Sequence, residues 1–186
     1  MAQLYEHYNV GDDAEAQTMW SATTWGAQTF TPSVAHRIIS VRLKLQRHGL
    51  TPGTFTVSIR ATSVGKPSNG DLCVGTIDGD DISDAAGGEW WEITLGGGSN
   101  LGADTLYGIV CRGLGFTVTN FVGWRQDKDD ATYAGGAALY STNAGVGWSS
   151  AGILDDLMFE EYGPDESSGG GKSANMGNKM VAAGLI

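Results

Sequence analysis

Basic residues are scarce in this chain: 11 Lys plus Arg stand against 21 Asp plus Glu, for a formal net charge of −10. Phosphate backbones are gripped by clustered Lys and Arg, so this balance argues against a nucleic-acid surface. It argues equally against an anionic membrane and predicts a soluble, mutually repelling particle. Long apolar runs are missing too. No stretch approaches the ~20 apolar residues of a membrane-spanning helix. The opening MAQLYEHYNV has no basic n-region and no apolar h-region, so no secretion signal is expected and folding in a cytoplasm is. The only two cysteines, Cys73 and Cys111, fall in separate strand-like segments. In a cytoplasm they are expected to be reduced core thiols. With no histidine beside them they make no zinc site. His7, His36 and His48 are scattered, with no spacing that suggests a metal pair. The G-x-S-x-G elbow and the phosphate-cradling G-x-x-x-x-G-K-[ST] loop are both missing.

What the chain has in abundance is glycine, 29 of 186 residues. Many short strands joined by glycine-rich turns suit that composition better than helices. From His36 to Arg47, Ile39, Val41, Leu43 and Leu45 alternate with Ser40, Arg42, Lys44 and Gln46. Such a period of two is a strand with one buried and one wet face, each large aliphatic contributing roughly 1.5–3 kcal/mol on burial. Thr54 to Ala61 repeats the alternation with Phe55, Val57 and Ile59. The turn-rich link His48–Gly53 between them predicts a long antiparallel hairpin at the centre of a sandwich.

Around this pair, strands are expected over Gln17–Trp20 and Trp25–Thr31, with Trp25, Ala27 and Thr29 on one face and Gln28 and Phe30 on the other. Ser63–Gly70 reads as a loop. Asp71–Ile77 reads as a short strand with a bulge, and Asp78–Gly88 as a long acidic loop. Glu89–Leu95 is a strand ended by Gly96-Gly97-Gly98, in which the adjacent Trp90 and Trp91 must point to opposite faces. Thr105–Arg112, Thr117–Gln126, Ala137–Ser141, Val146–Trp148 and Leu157–Tyr162 complete nine or ten strands, the number and spacing of an all-β antiparallel sandwich.

Residues 1–16 read as an N-terminal arm, 17–163 as the sandwich, and 164–186 as a Gly/Ser linker followed by an apolar anchor. The linker DESSGGGK is flexible by composition. Beyond it, Met176, Met180, Val181, Leu185 and Ile186 form an apolar terminus that gains nothing unless it docks on another chain. Leu4, Tyr5 and Tyr8 are the corresponding N-terminal candidates for partner contact.

Two chemistries remain open. Asp78, Asp80, Asp81 and Asp84 supply hard oxygens for a structural Ca²⁺, as do Asp127, Asp129 and Asp130, although neither run matches the calcium loop with its closing Glu. No other cofactor is expected. Trp90 or Trp91, Trp124 and Trp148, with Tyr133 and Tyr140, supply rings for a glycan-stacking platform. The carboxylate pairs Asp80/Asp81, Asp129/Asp130, Asp155/Asp156 and Glu160/Glu161 would serve a glycosidase only if two faced each other across a cleft. No enzymatic activity is expected.

The segment Ser141–Trp148, STNAGVGW, resembles the Asp-box hairpin S-x-D-x-G-x-T-W, departing from it at Asn143 and Gly147. In the families that carry it, this box is structural. More broadly, AQTFTPSVAHRIISVRLKLQR, GTFTVSIRATSVGKPSNGDL, GEWWEITL, LYGIVCR and DDLMFEEYG resemble an accessory jelly-roll module related in style to carbohydrate-binding modules. That resemblance covers about residues 17–163 and implies a non-catalytic jelly-roll β-sandwich, here followed by an extended C-terminal tail. Taken with the acidic surface and the apolar tail, the chain resembles a structural protein of a tailed-bacteriophage virion, a capsid decoration protein first and a head- or tail-fibre protein next. This implies the major capsid protein or other virion proteins as partners, a homo-oligomer with a trimer favoured, and residence in the virion after synthesis in the host cytoplasm.

Overall fold

The computed structural model describes residues 2–16, 19–152 and 155–165. Thirteen strands follow in order: β1 (Ala2–Tyr8), β2 (Ala14–Ala16), β3 (Trp25–Phe30), β4 (His36–His48), β5 (Thr54–Ser63), β6 (Lys66–Asp78), β7 (Glu89–Leu101), β8 (Tyr107–Arg112), β9 (Phe121–Asp127), β10 (Ala138–Ser141), β11 (Ser149–Ser150), β12 (Asp156–Leu157) and β13 (Phe159–Pro164). All pairings are antiparallel. The expected all-β, sandwich-like fold is therefore what the chain adopts.

One layer runs β1-β13-β4-β7, with β9 taking over from β13 along the C-terminal half of β4 and carrying β2 and β12. The other runs β6-β5-β8-β3-β10-β11. A single pairing, Val74 with Gly96, links the two where β6 meets β7, so the sheet curls over on itself. Gly75 permits that approach, since a Cβ there would collide with the Thr94 carbonyl.

The core lies between the layers. Val41, Leu43 and Leu45 of β4 and Ile93 of β7 meet Phe55, Val57 and Ile59 of β5, Ile109 of β8 and Phe30 of β3, all fully buried. The predicted β4–β5 hairpin does not form. β4 pairs with β7, β13 and β9, and β5 with β6 and β8, so the two strands lie in opposite layers. Alternation reports only that one face is buried, and two strands packed face to face carry the same pattern as two paired side by side.

Four local expectations are also corrected. Ile38 enters the core and Ile39 is half-buried, because the ladder shifts register between Ile38 and Ser40. The extra residues are on β7, where the glycines that were expected to end the strand bulge out and the strand resumes to Leu101. Gly97 and Gly98 hold positive φ there, +72° and +58°, which glycine alone adopts freely. Ser63–Gly70 is not a loop: Val64 and Gly65, both at positive φ, make a tight turn from which β6 continues. The expected bulge in this strand is present, Arg60 pairing with Asp71 while Ile59 pairs with Cys73. Within the expected strand 17–20, the described residues Met19 and Trp20 are not in a strand, Met19 instead plugging the core.

The N-terminal segment is part of the sheet rather than an arm. β1 pairs with β13, from Ala2 opposite Pro164 to Tyr8 opposite Phe159, and β2 pairs with β9. Tyr5 stacks on His36 at 3.7 Å between ring centroids and its hydroxyl donates to the Pro164 carbonyl. Tyr8 is a core residue. These two tyrosines are therefore spent within the chain, while Leu4 is 37% exposed. The tail anchors Met176, Met180, Val181, Leu185 and Ile186 lie outside the described residues. Among the described residues, no helix is long and apolar enough to cross a membrane.

Candidate functional site

The expected aromatic platform is not assembled. Trp124 is completely buried, its indole N–H donating to the Met158 carbonyl at 2.8 Å. Trp148 is buried with Ala27, Val110 and Leu139 against the outer face of the β3–β8 layer. The Asp-box-like segment delivers it there. Ser141 Oγ accepts the Gly145 N–H, and Asn143 Oδ1 accepts that of Gly147, so the turn between β10 and β11 is held by its own side chains. Trp91 sits opposite Leu43 and so points coreward, whereas Trp90, opposite Lys44, points outward under the Arg42 guanidinium at 5.7 Å. Both are half-buried.

The first acidic run does not converge either. Asp78 caps the 3₁₀ turn Gly79–Asp81 by accepting the Asp80 N–H. Asp80 accepts the Gly53 N–H, Asp84 pairs with Arg47, and Asp81 is exposed. Among the described residues, the acidic groups that do come together are Asp13, Asp127 and Asp130, two of them from the second run.

A different place has the character of a binding site. Where the layers part beside β2, β9 and β10, a cleft of about 330 Å³ opens. Trp20, Tyr140, Glu15, Gln126, Thr142, Lys128 and Asp155 line it. Trp20 is 44% exposed, an unusual position for the largest side chain. The turn after it is rigid: Thr24 Oγ1 accepts the Ser21 N–H at 2.8 Å and donates back to the Ser21 carbonyl, while the Trp25 indole donates to Ala22. Glu15 Oε2 is held by His48 Nε2 at 2.9 Å, leaving Oε1 buried without a partner. Asp155 Oδ1 accepts the Asp129 N–H. On the β3–β12 side, Gln28 bridges the layers, donating to Asp156 Oδ1 and accepting the Leu157 N–H, both at 2.8 Å.

Such a cleft joins two rings with amide, hydroxyl, ammonium and carboxylate groups, the set that holds a polar, ring-shaped ligand by stacking and hydrogen bonds. Tyr140 belongs to the expected aromatic set. Trp20 ends the expected strand Gln17–Trp20, and the signal that could have marked it is the Ser-Ala-Thr-Thr turn sequence that follows. The buried carboxyls with raised pKa have structural partners. Burial pushes Asp156 up to about 6 against the lowering from Gln28, and it raises Glu161 against the lowering from His36.

Compared with known proteins, the chain matches no family model and no curated protein.

Proposed function

We propose that this chain is a non-catalytic binding module whose ligand is a saccharide held in the cleft between β2, β9 and β10. The observation that carries this reading is the exposed Trp20 on a rigid turn, beside Tyr140 and five hydrogen-bonding side chains in one cleft. Wild-type protein is expected to be retained on a panel of immobilised polysaccharides. Trp20→Ala should lose retention while unfolding near the wild-type midpoint. A panel that retains neither protein, or both equally, overturns the reading.

A second reading, display on a tailed-phage virion as a capsid decoration or fibre protein, is favoured by where the tail departs. Ala2 pairs with Pro164, so β13 ends at Pro164 beside the edge strand β1, and the tail follows it in the chain. Gly163 lies against His36 and Arg37, past the end of β3, whereas the cleft is near Trp25, where β3 begins. Tether and cleft are thus separated along a strand about 20 Å long. A tail docked on a shell then adds avidity and leaves the cleft open. Truncation after Asp165, which spares β13, should leave a folded protein that no longer binds shells lacking this chain. Unchanged binding by the truncated protein refutes the anchor.

A further inference from the structure

The carboxylates of Asp13, Asp127 and Asp130 come from two distant segments, and each offers an oxygen within 4.8 Å of the others. Oxygens sharing one Ca²⁺ at 2.3–2.6 Å lie at most about 5 Å apart, so this spread matches a common ion. Asp127, the last residue of β9, is 5% exposed. Its Oδ2 accepts the hydroxyl of Tyr8, which in turn accepts the Thr132 N–H. Its Oδ1 is buried with no hydrogen-bond partner. An orphaned carboxylate oxygen in the interior is costly and calls for a proton or a cation.

No cation among the described residues pairs with these carboxylates, and nearby Lys44 and Arg125 are both committed to Asp12. The backbone is shaped around the cluster. Gly11, at φ +78°, lies so close to the Asp127 carboxylate that a Cβ would collide with it. Asp129 adopts φ +70° in the turn that returns Asp130, and Asp13 Oδ1 accepts the Lys128 N–H, fixing one loop against the other.

We infer that Asp13, Asp127 and Asp130 form a Ca²⁺ site that ties the loop before β2 to the turn after β9. Three carboxylates from two segments, those of Asp13 and Asp130 exposed and so open to water for the remaining ligands, suit Ca²⁺ better than the smaller, more rigidly hydrated Mg²⁺.

The test uses the full chain stripped with EGTA and titrated with CaCl₂ by calorimetry, beside thermal unfolding with and without the ion. Saturable binding is expected, with Ca²⁺ at 100 times its Kd raising the folding equilibrium constant about 100-fold. Asp13→Asn and Asp130→Asn, both at exposed positions, should fold as well as wild type without Ca²⁺ and lose the calcium response. No heat and no shift in midpoint at 10 mM CaCl₂ overturns the site. So does a calcium response that survives Asp130→Asn, or one that Mg²⁺ reproduces at equal concentration.

Discussion

Replacing Glu161 by Ala probes the contact that fastens β1 and β13 to β4. Glu161 and His36 are both fully buried and joined through Oε1 and Nε2. His36 Nδ1 lies 3.0 Å from the Val34 carbonyl, which can only accept, so Nδ1 carries a proton. Nε2 therefore either donates to a carboxylate or accepts from a protonated Glu161. Glu161 Oε2 accepts the Glu6 N–H at 3.2 Å, which ties in β1. Alanine strands His36 Nε2 and the Glu6 N–H together, each unsatisfied group costing roughly 1–3 kcal/mol. Loss of one member of a buried pair costs about 3–5 kcal/mol in total. At about 2–4 °C per kcal/mol for a chain of this size, the midpoint should fall by roughly 6–20 °C. Glu161→Gln keeps a donor for a neutral His36 and an acceptor for Glu6, and should cost about 1 kcal/mol. Urea unfolding followed by tryptophan fluorescence reads both variants. A Glu161→Ala protein within 1 kcal/mol of wild type, or a Gln variant as damaged as the Ala variant, refutes the assignment.

Three further outcomes are expected. Trp91→Ala should lose about 2–3 kcal/mol, below the range for a fully buried Trp because this ring is half-exposed, while Trp90→Ala should lose about 1 kcal/mol with its Arg42 contact. Equal losses in urea titrations would show the facing to be wrong. Asp156 is raised to about 6 in the fold against 3.8 ordinarily, so its contribution to stability is full below about pH 4 and is lost as pH rises through 6. Asp156→Asn should thus gain about 2 kcal/mol at pH 7.5, discounted for solvent screening, and almost nothing at pH 4. A gain that does not change with pH would contradict this. Finally, burial pushes the Cys73 thiol up to about 11 and Cys111 well above its ordinary range. Iodoacetamide at pH 8 should label neither in the native protein and both in urea, as intact mass would show, and rapid native labelling would mean that these strands open.

How much was legible in the sequence differs from element to element. β3 shows the faces that its pattern predicts, Gln28 and Phe30 toward the core side and Ala27 against the outer cluster. The opposed facing of Trp90 and Trp91 followed from their adjacency alone. For Trp124 and Trp148, residue type named a ring but not its surroundings, and both rings went inside. Asp127 and Asp130 stood out as a run, but their third partner is more than a hundred residues away and no spacing pattern reaches that far.

Composition and period two are local properties, and they sufficed to make the chain all-β and to say which strand faces are buried, because each residue's side follows from its neighbours. Which strands pair is a property of the closed sheet. β4 and β5 carry the same alternation whether side by side or face to face, and only the competition of β7, β9 and β13 for the edges of β4 settles it. The cleft at Trp20, the carboxylate cluster at Asp127 and the docking of β1 on β13 all arise where segments far apart in the chain meet, so the tertiary structure alone decides them.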